Sequence, residues 1–335
     1  MLGRRTLLAA AGTGLLSGCA ATMPRRLGLH RLSQRPPPVV TDGVFDMPDG
    51  AALPFRCWLP AGQLETVALA LHGMNDSRDA FELAGPVLAA AGIAVYAPDQ
   101  RGFGVATGHG RWPGATALCD DAAVMARLLA TRHPDVRLVA IGESMGGAVL
   151  MRLAAFQPPP EISAYVLAAP AVWGRAEMDL LLRSSLWVAS QMVPGMVLAD
   201  GGPVRVRATD NYEALRRLSD DPLTQHDTRV DTLRGLVDLM SDALRGAARF
   251  DAPGLFLYGA RDELVPKHAM RAAWQALPSG VPETLAYYTH GYHLLLRDLD
   301  RAEVLGDILA WLADPKALLP SKADRAAMKW LARMA

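Results

Sequence analysis

The sequence predicts an α/β protein built on a mostly parallel, doubly wound sheet that is interrupted by a helical insertion. Short runs rich in Val, Ile, Leu and aromatic residues alternate with segments of helical period, as repeated βα units require. Several of these runs are apolar on both faces, which suits strands covered from both sides by crossover helices. Between residues 174 and 249 the alternation stops, and that stretch is too long for a bare loop in a compact domain.

The first segment, residues 1–18, has the organisation of a secretory leader: Arg4 and Arg5 near the start, an apolar run from Thr6 to Leu16, then Ser17 and Gly18 before Cys19. The run is too short to cross a bilayer, which takes roughly 20 residues. Leu16-Ser17-Gly18-Cys19 resembles the lipobox of bacterial lipoprotein leaders. That resemblance implies that Cys19 is lipidated as the first mature residue and anchors the protein to a membrane of the cell envelope, on its periplasmic side. Cleavage elsewhere, with Cys19 incidental, is the plainer alternative. Arg4-Arg5 also loosely resembles a twin-arginine export signal. Residues 19–38, closing on Pro36-Pro37-Pro38, lack apolar periodicity and read as a flexible tether.

The core is expected at residues 39–173 and 250–313, with strands at 53–59, 66–71, 93–97, 137–141, 164–168, 255–258 and 284–288. Helical patterns fall between them at 79–91, 115–132, 145–156, 267–277 and 294–312. In the insertion, 174–249, residues 178–193 and 212–244 carry helical patterns. Its first part is unusually apolar, with Leu180, Leu181, Leu182, Leu186, Trp187, Val188, Met192, Val193, Met196 and Val197. Most of these are expected to pack the insertion on the core, leaving a few to line a substrate pocket. The tail, 314–335, offers an amphipathic helix through Leu318, Met328, Trp330 and Leu331 that packs on the domain edge.

Composition excludes some functions. Lys+Arg and Asp+Glu number 34 each, so there is no basic surplus to neutralise phosphates, and nucleic-acid binding is not expected. The eight His and three Cys form neither Cys-x-x-Cys nor His-Glu-x-x-His, so neither a metal nor another cofactor is expected. Cys57 and Cys119 are expected as unpaired thiols.

The chemistry begins where the strand at 137–141 runs into Gly142-Glu143-Ser144-Met145-Gly146 and then a helical pattern. A nucleophile elbow needs this strand-turn-helix context, because small residues two before and two after the serine let a tight turn expose its hydroxyl. A serine hydroxyl is a weak nucleophile until a base takes its proton, so a histidine and an orienting carboxylate should follow later strands. Asp262 follows the strand at 255–258, nearer its end than Glu263, which is expected to face solvent. His290 and His293 both follow the strand at 284–288, and His293 is preferred as the base because it opens the last helical region. The order Ser144, Asp262, His293 is the one this fold uses. Oxyanion donors are expected at the backbone amides of Met145, just after the nucleophile, and Met74, after the strand at 66–71. His72 is expected to hold the latter loop by hydrogen bonds.

With these residues the chain resembles the α/β-hydrolase superfamily, and within it the monoacylglycerol lipase and lysophospholipase-like serine hydrolases. The resemblance spans about residues 44–312 and rests on His72-Gly73, residues 96–104, 142–147 and 259–266, and Gly291-Tyr292-His293. In that group the segment like 96–104 usually ends in Gly-His-Gly, where this chain has Phe103. The resemblance implies an α/β-hydrolase fold with a helical cap at 174–249, and cleavage of a fatty acyl ester such as a monoacylglycerol or lysophospholipid. Serine argues against haloalkane dehalogenase or epoxide hydrolase chemistry, which this fold runs on an aspartate. Peptidases and acyltransferases use the same constellation, so those readings stay open. A non-catalytic envelope lipoprotein that binds through the cap is the rival from another class; a missing triad member would favour it, and none is missing.

Overall fold

The computed structural model describes residues 39–199, 206–280 and 283–333. The leader, Cys19 and the tether lie outside the described residues. Strands β1 (Val39–Asp46), β2 (Ala52–Leu59), β3 (Thr66–Leu71), β4 (Ile93–Pro98), β5 (Arg137–Glu143), β6 (Ile162–Ala168), β7 (Val197–Ala199), β8 (Asp227–Arg229), β9 (Gly254–Gly259) and β10 (Glu283–Tyr288) form two sheets. The main one has eight strands in the order β1-β2-β4-β3-β5-β6-β9-β10. β2 runs antiparallel to both β1 and β4, and every later pairing is parallel. β1 was not expected: its polar Thr41, Asp42 and Gly43 break the apolar run, and it stands at the sheet edge with Val40 and Val44 exposed.

Every residue of β3, β4 and β9 is buried, as strands covered on both faces require. Alternation divides them between two cores. Val67, Leu69 and Leu71 join one with α2 (Ala115–Arg132) and α3 (Met145–Phe156). Ala68 and Ala70 join the other with α1 (Gly85–Ala90) and α8 (Arg301–Ala313). Cys57 and Cys119 are buried and unpaired, and burial pushes their thiols up to about 12 and about 11, so neither is a reactive thiolate.

Four expectations are corrected. The helix expected at 79–91 is a 3₁₀ turn, Arg78–Phe81, followed by α1, because Pro86 lacks an N–H and fits only a first helical turn. The helix expected at 294–312 starts at Arg301. Before it, Asp298 turns inward to accept the Tyr292 amide at 2.7 Å and the Thr209 hydroxyl at 2.5 Å, holding that stretch in turns. In the tail, α9 (Ala323–Ala332) buries Ala323 and Ala327 and stacks Trp330 on Tyr287, ring centres 4.8 Å apart. Leu318 and Met328, expected on that face, are 60% and 66% exposed.

The last correction concerns the insertion. It carries α4 (Leu180–Met192), α5 (Tyr212–Asp220), α6 (Val230–Ala247) and the antiparallel β7–β8 ribbon. α6 seats on α3, whereas α4 lies outside it and buries no residue. Leu181 and Met192 are 80% and 75% exposed, so most of the apolar residues expected to pack on the core face outward instead. The remaining helix, α7 (Lys267–Ala276), follows β9.

Candidate active site

Because β3, β5, β9 and β10 are parallel, the loops that leave them gather at one edge of the sheet, where ligands of open α/β sheets bind. β5 delivers Ser144 at φ +53°, a conformation that strains a residue with a Cβ, and α3 starts immediately after. The turn is close: a Cβ on Gly146 would sit 2.1 Å from the Leu71 carbonyl oxygen. Met145 opens α3, and amides in the first turn of a helix have no intrahelical acceptor. The loop after β3 passes beside the hydroxyl, since a Cβ on Gly73 would lie 3.8 Å from Ser144 Oγ. Met74 follows in that loop, and both it and Ser144 border one cavity.

His72 holds this loop. It is buried, which depresses its basicity; the neutral ring donates from Nδ1 to the Gly73 carbonyl at 2.7 Å and accepts the Gln100 amide on Nε2 at 3.0 Å. Phe103 lies edge-on to the same ring, 5.8 Å between centres, and packs against it.

At the other side of the site, Asp262 Oδ2 lies 2.8 Å from His293 Nδ1, both side chains buried. Asp262 Oδ1 accepts the amides of Leu264 at 2.8 Å and Val265 at 2.9 Å, which fixes the carboxylate's orientation. Burial alone would depress the His293 imidazole, but the charge and hydrogen bond of Asp262, with the charges of Glu143 and Asp298, raise it above its ordinary value. A Cβ on Gly259 would meet the Tyr292 carbonyl at 2.3 Å, so the ends of β9 and β10 come together only through glycine. The two alternatives face elsewhere: His290 is exposed against Arg261, and Glu263 accepts the Arg207 amide at 2.8 Å.

Ser144 and His293 border the same cavity, although no hydrogen bond joins them. Such bonds are often long in unliganded sites and tighten around substrate. The cavity, of about 730 Å³, runs under the insertion. Trp173, Met178, Leu182, Leu186 and Met240 give it an apolar wall, and Asn75, Ser219, Gln225 and Thr228 a polar end. Of the outward-facing helix α4, only Leu182 and Leu186 reach it. Asn75, at φ +62°, donates to Thr228 Oγ1 at 2.6 Å and accepts the Gln225 amide on its carbonyl at 2.8 Å, tying the loop after β3 to the insertion.

Sequence reasoning passed over Asp76, Glu143 and Arg297, which are buried together beside the Ser144 turn. The available signal was charge in apolar company: Glu143 follows Ile141-Gly142 and Arg297 follows three leucines. A charged residue is almost never fully buried without a partner.

This sheet, elbow and buried Asp–His pair define a hydrolase of the α/β-hydrolase class. Among solved structures it is similar to a soluble variant of Saccharomyces cerevisiae monoglyceride lipase, with TM-score 0.71, 18% identity and coverage of 85% of this chain and 97% of that one. It is likewise similar to the monoacylglycerol lipase of Paleococcus ferrophilus, with TM-score 0.65, 22% identity and coverage of 83% and 100%. The chain belongs to the serine aminopeptidase S33 hydrolase family, whose model matches residues 62–300. By sequence it is 26% identical over 267 residues to a monoacylglycerol lipase of Mycolicibacterium smegmatis, covering 78% of this chain and 93% of that relative.

Proposed function

We propose that the protein is a serine hydrolase that cleaves fatty acyl esters of small neutral alcohols, monoacylglycerols foremost. The observation that carries this is His293, paired with Asp262 at 2.8 Å, opening with Ser144 on one largely apolar cavity. Ser144 Oγ attacks the ester carbonyl while His293 Nε2 takes its proton, and Asp262 holds the tautomer with the proton on Nδ1. The amides of Met74 and Met145 receive the oxyanion, each such donor being worth about 2.7–4 kcal/mol of transition-state stabilisation. The alcohol leaves with the proton from His293, and water, activated by the same imidazole, releases the fatty acid from Ser144.

Among the described residues neither Lys nor Arg borders the cavity, which supports a neutral alcohol over the phosphate of a lysophospholipid. An aminopeptidase needs a carboxylate free to hold the substrate's ammonium group. Among the described residues the cavity's acidic group is Asp76, and it is already paired with Arg297. The names of the two lipases similar in sequence and fold point the same way. Fluorophosphonate labelling tests the nucleophile: wild type labels at Ser144 and Ser144→Ala does not, and equal labelling of both sinks the assignment. Release of fatty acid from monoacylglycerol and lysophosphatidylcholine, beside cleavage of an aminoacyl p-nitroanilide, tests the substrate; faster anilide cleavage reverses the reading.

The leader motif extends the proposal to location: Cys19 carries lipid and residues 19–38 tether the enzyme at the periplasmic side of an envelope membrane. Metabolic labelling with a radioactive fatty acid, present in wild type and lost in Cys19→Ala, tests it. Label retained in the variant rejects it.

A further inference from the structure

Arg297 lies four residues beyond His293 in the loop after β10, and its side chain is 6% exposed. One nitrogen, Nη2, donates both to Asp76 Oδ2 and to Glu143 Oε2, the latter at 3.1 Å. Asp76 sits two residues after Met74 in the loop leaving β3, and Glu143 ends β5 directly before Ser144. These carboxylates are as buried as the guanidinium, at 7% and 1% side-chain exposure. A single guanidinium therefore joins the loops that bear the oxyanion donor, the nucleophile and the base. Two further bonds fix the corner: Asp76 Oδ1 accepts the Ser77 amide at 2.8 Å, and the Arg297 carbonyl accepts Asn211 Nδ2 at 2.8 Å.

We propose that Arg297 is a positioning residue, a buried brace that sets the Ser144 turn, the Met74 loop and the His293 loop in one catalytic register through Glu143 and Asp76. This rests on the triad reading above. Arginine suits the position because its terminal Nη2 reaches both carboxylates at once and its guanidinium stays charged when buried. Two carboxyls share one guanidinium beside the imidazole. The acidic groups facing His293 are Asp262 from the loop after β9, Glu143 from β5 and Asp298 from its own loop, with Arg297 offsetting Glu143. Burial raises the Glu143 carboxyl and Arg297 opposes that rise. In its ionised form Glu143 adds to the negative charge around His293.

The test is the second-order rate of fluorophosphonate labelling at Ser144 as a function of pH, which needs no knowledge of the substrate. Arg297→Lys keeps the charge but is one bond shorter than the reach to Nη2, so it cannot hold both carboxylates, and its labelling rate is expected to fall at least about 10-fold with thermal unfolding within a few degrees of wild type. Glu143→Gln keeps the shape and leaves Arg297 and Asp76 as a balanced pair. Its acidic limb is expected to move to lower pH by about half a unit or more, because His293 loses an anionic neighbour. If Arg297→Lys does not fold, Glu143→Gln decides alone. Unchanged rate in the first and an unmoved limb in the second overturn the brace while leaving the triad standing. Absence of Ser144 labelling in wild type overturns the triad itself.

Discussion

His293 Nδ1 and Asp262 Oδ2 stand 2.8 Å apart with both side chains buried, and the imidazole is more basic than a free histidine. The base must be neutral to accept the Ser144 proton, so activity is expected to rise through a midpoint above the ordinary value of 6.5. Asp262→Asn removes the charge that opposes burial, so the midpoint is expected to move down while kcat falls about 10⁴-fold. A pH–rate profile of both proteins on a p-nitrophenyl ester checks this; a midpoint that stays put in the variant refutes it. The same pair links stability to pH. A folded-state value raised above the unfolded one contributes stability below pH 6.5 that is lost as pH rises through the folded midpoint.

Gly146→Ala places a methyl 2.1 Å from the carbonyl of Leu71, a buried β3 residue paired with Gly142 of β5. Neither backbone can yield, so a loss of about 3 kcal/mol is expected. Urea denaturation measures it, and a loss below 1 kcal/mol, as flagged by an unmoved midpoint, would show that the elbow is looser than its geometry implies.

Asn75 separates two effects. Asn75→Gly keeps the φ of +62° at no steric cost but loses the bond to Thr228, so a loss of about 1 kcal/mol is expected. Asn75→Ala adds strain of about 1 kcal/mol more. Equal unfolding midpoints for the two variants would contradict the strain. Both are expected to lower kcat/KM, since the loop carrying Met74 loses its side-chain tie to Thr228 of the insertion.

Leu186 reaches into the cavity from α4. Filling that space by Leu186→Trp is expected to shift preference toward short esters, lowering kcat/KM for the longest p-nitrophenyl ester by about 10-fold relative to the shortest. An unchanged chain-length profile would place the acyl chain elsewhere.

Trp330 closes the tail onto the domain by stacking on Tyr287 and meeting Trp274 edge-on at 5.4 Å. Trp330→Ala is expected to cost about 3 kcal/mol or more, read as a lowered urea midpoint with labelling of Ser144 intact below it.

What the sequence by itself determined is local chemistry. The Gly-x-Ser-x-Gly turn, the buried β3, β5 and β9, and the placement of Asp262 and His293 just past strand ends were legible because each depends on residues a few positions apart. Tertiary structure alone decided which charges meet. Asp76 and Arg297 are 221 residues apart, and no periodicity pairs them; only the closing of parallel strands at one edge does. It also decided which apolar residues remain outside. The helical period of α4 was readable, but the direction its apolar face takes depends on α6 lying beneath it, and Leu181 and Met192 point to solvent. Period reports that a helix has a face. Packing against neighbours distant in the chain determines what that face meets.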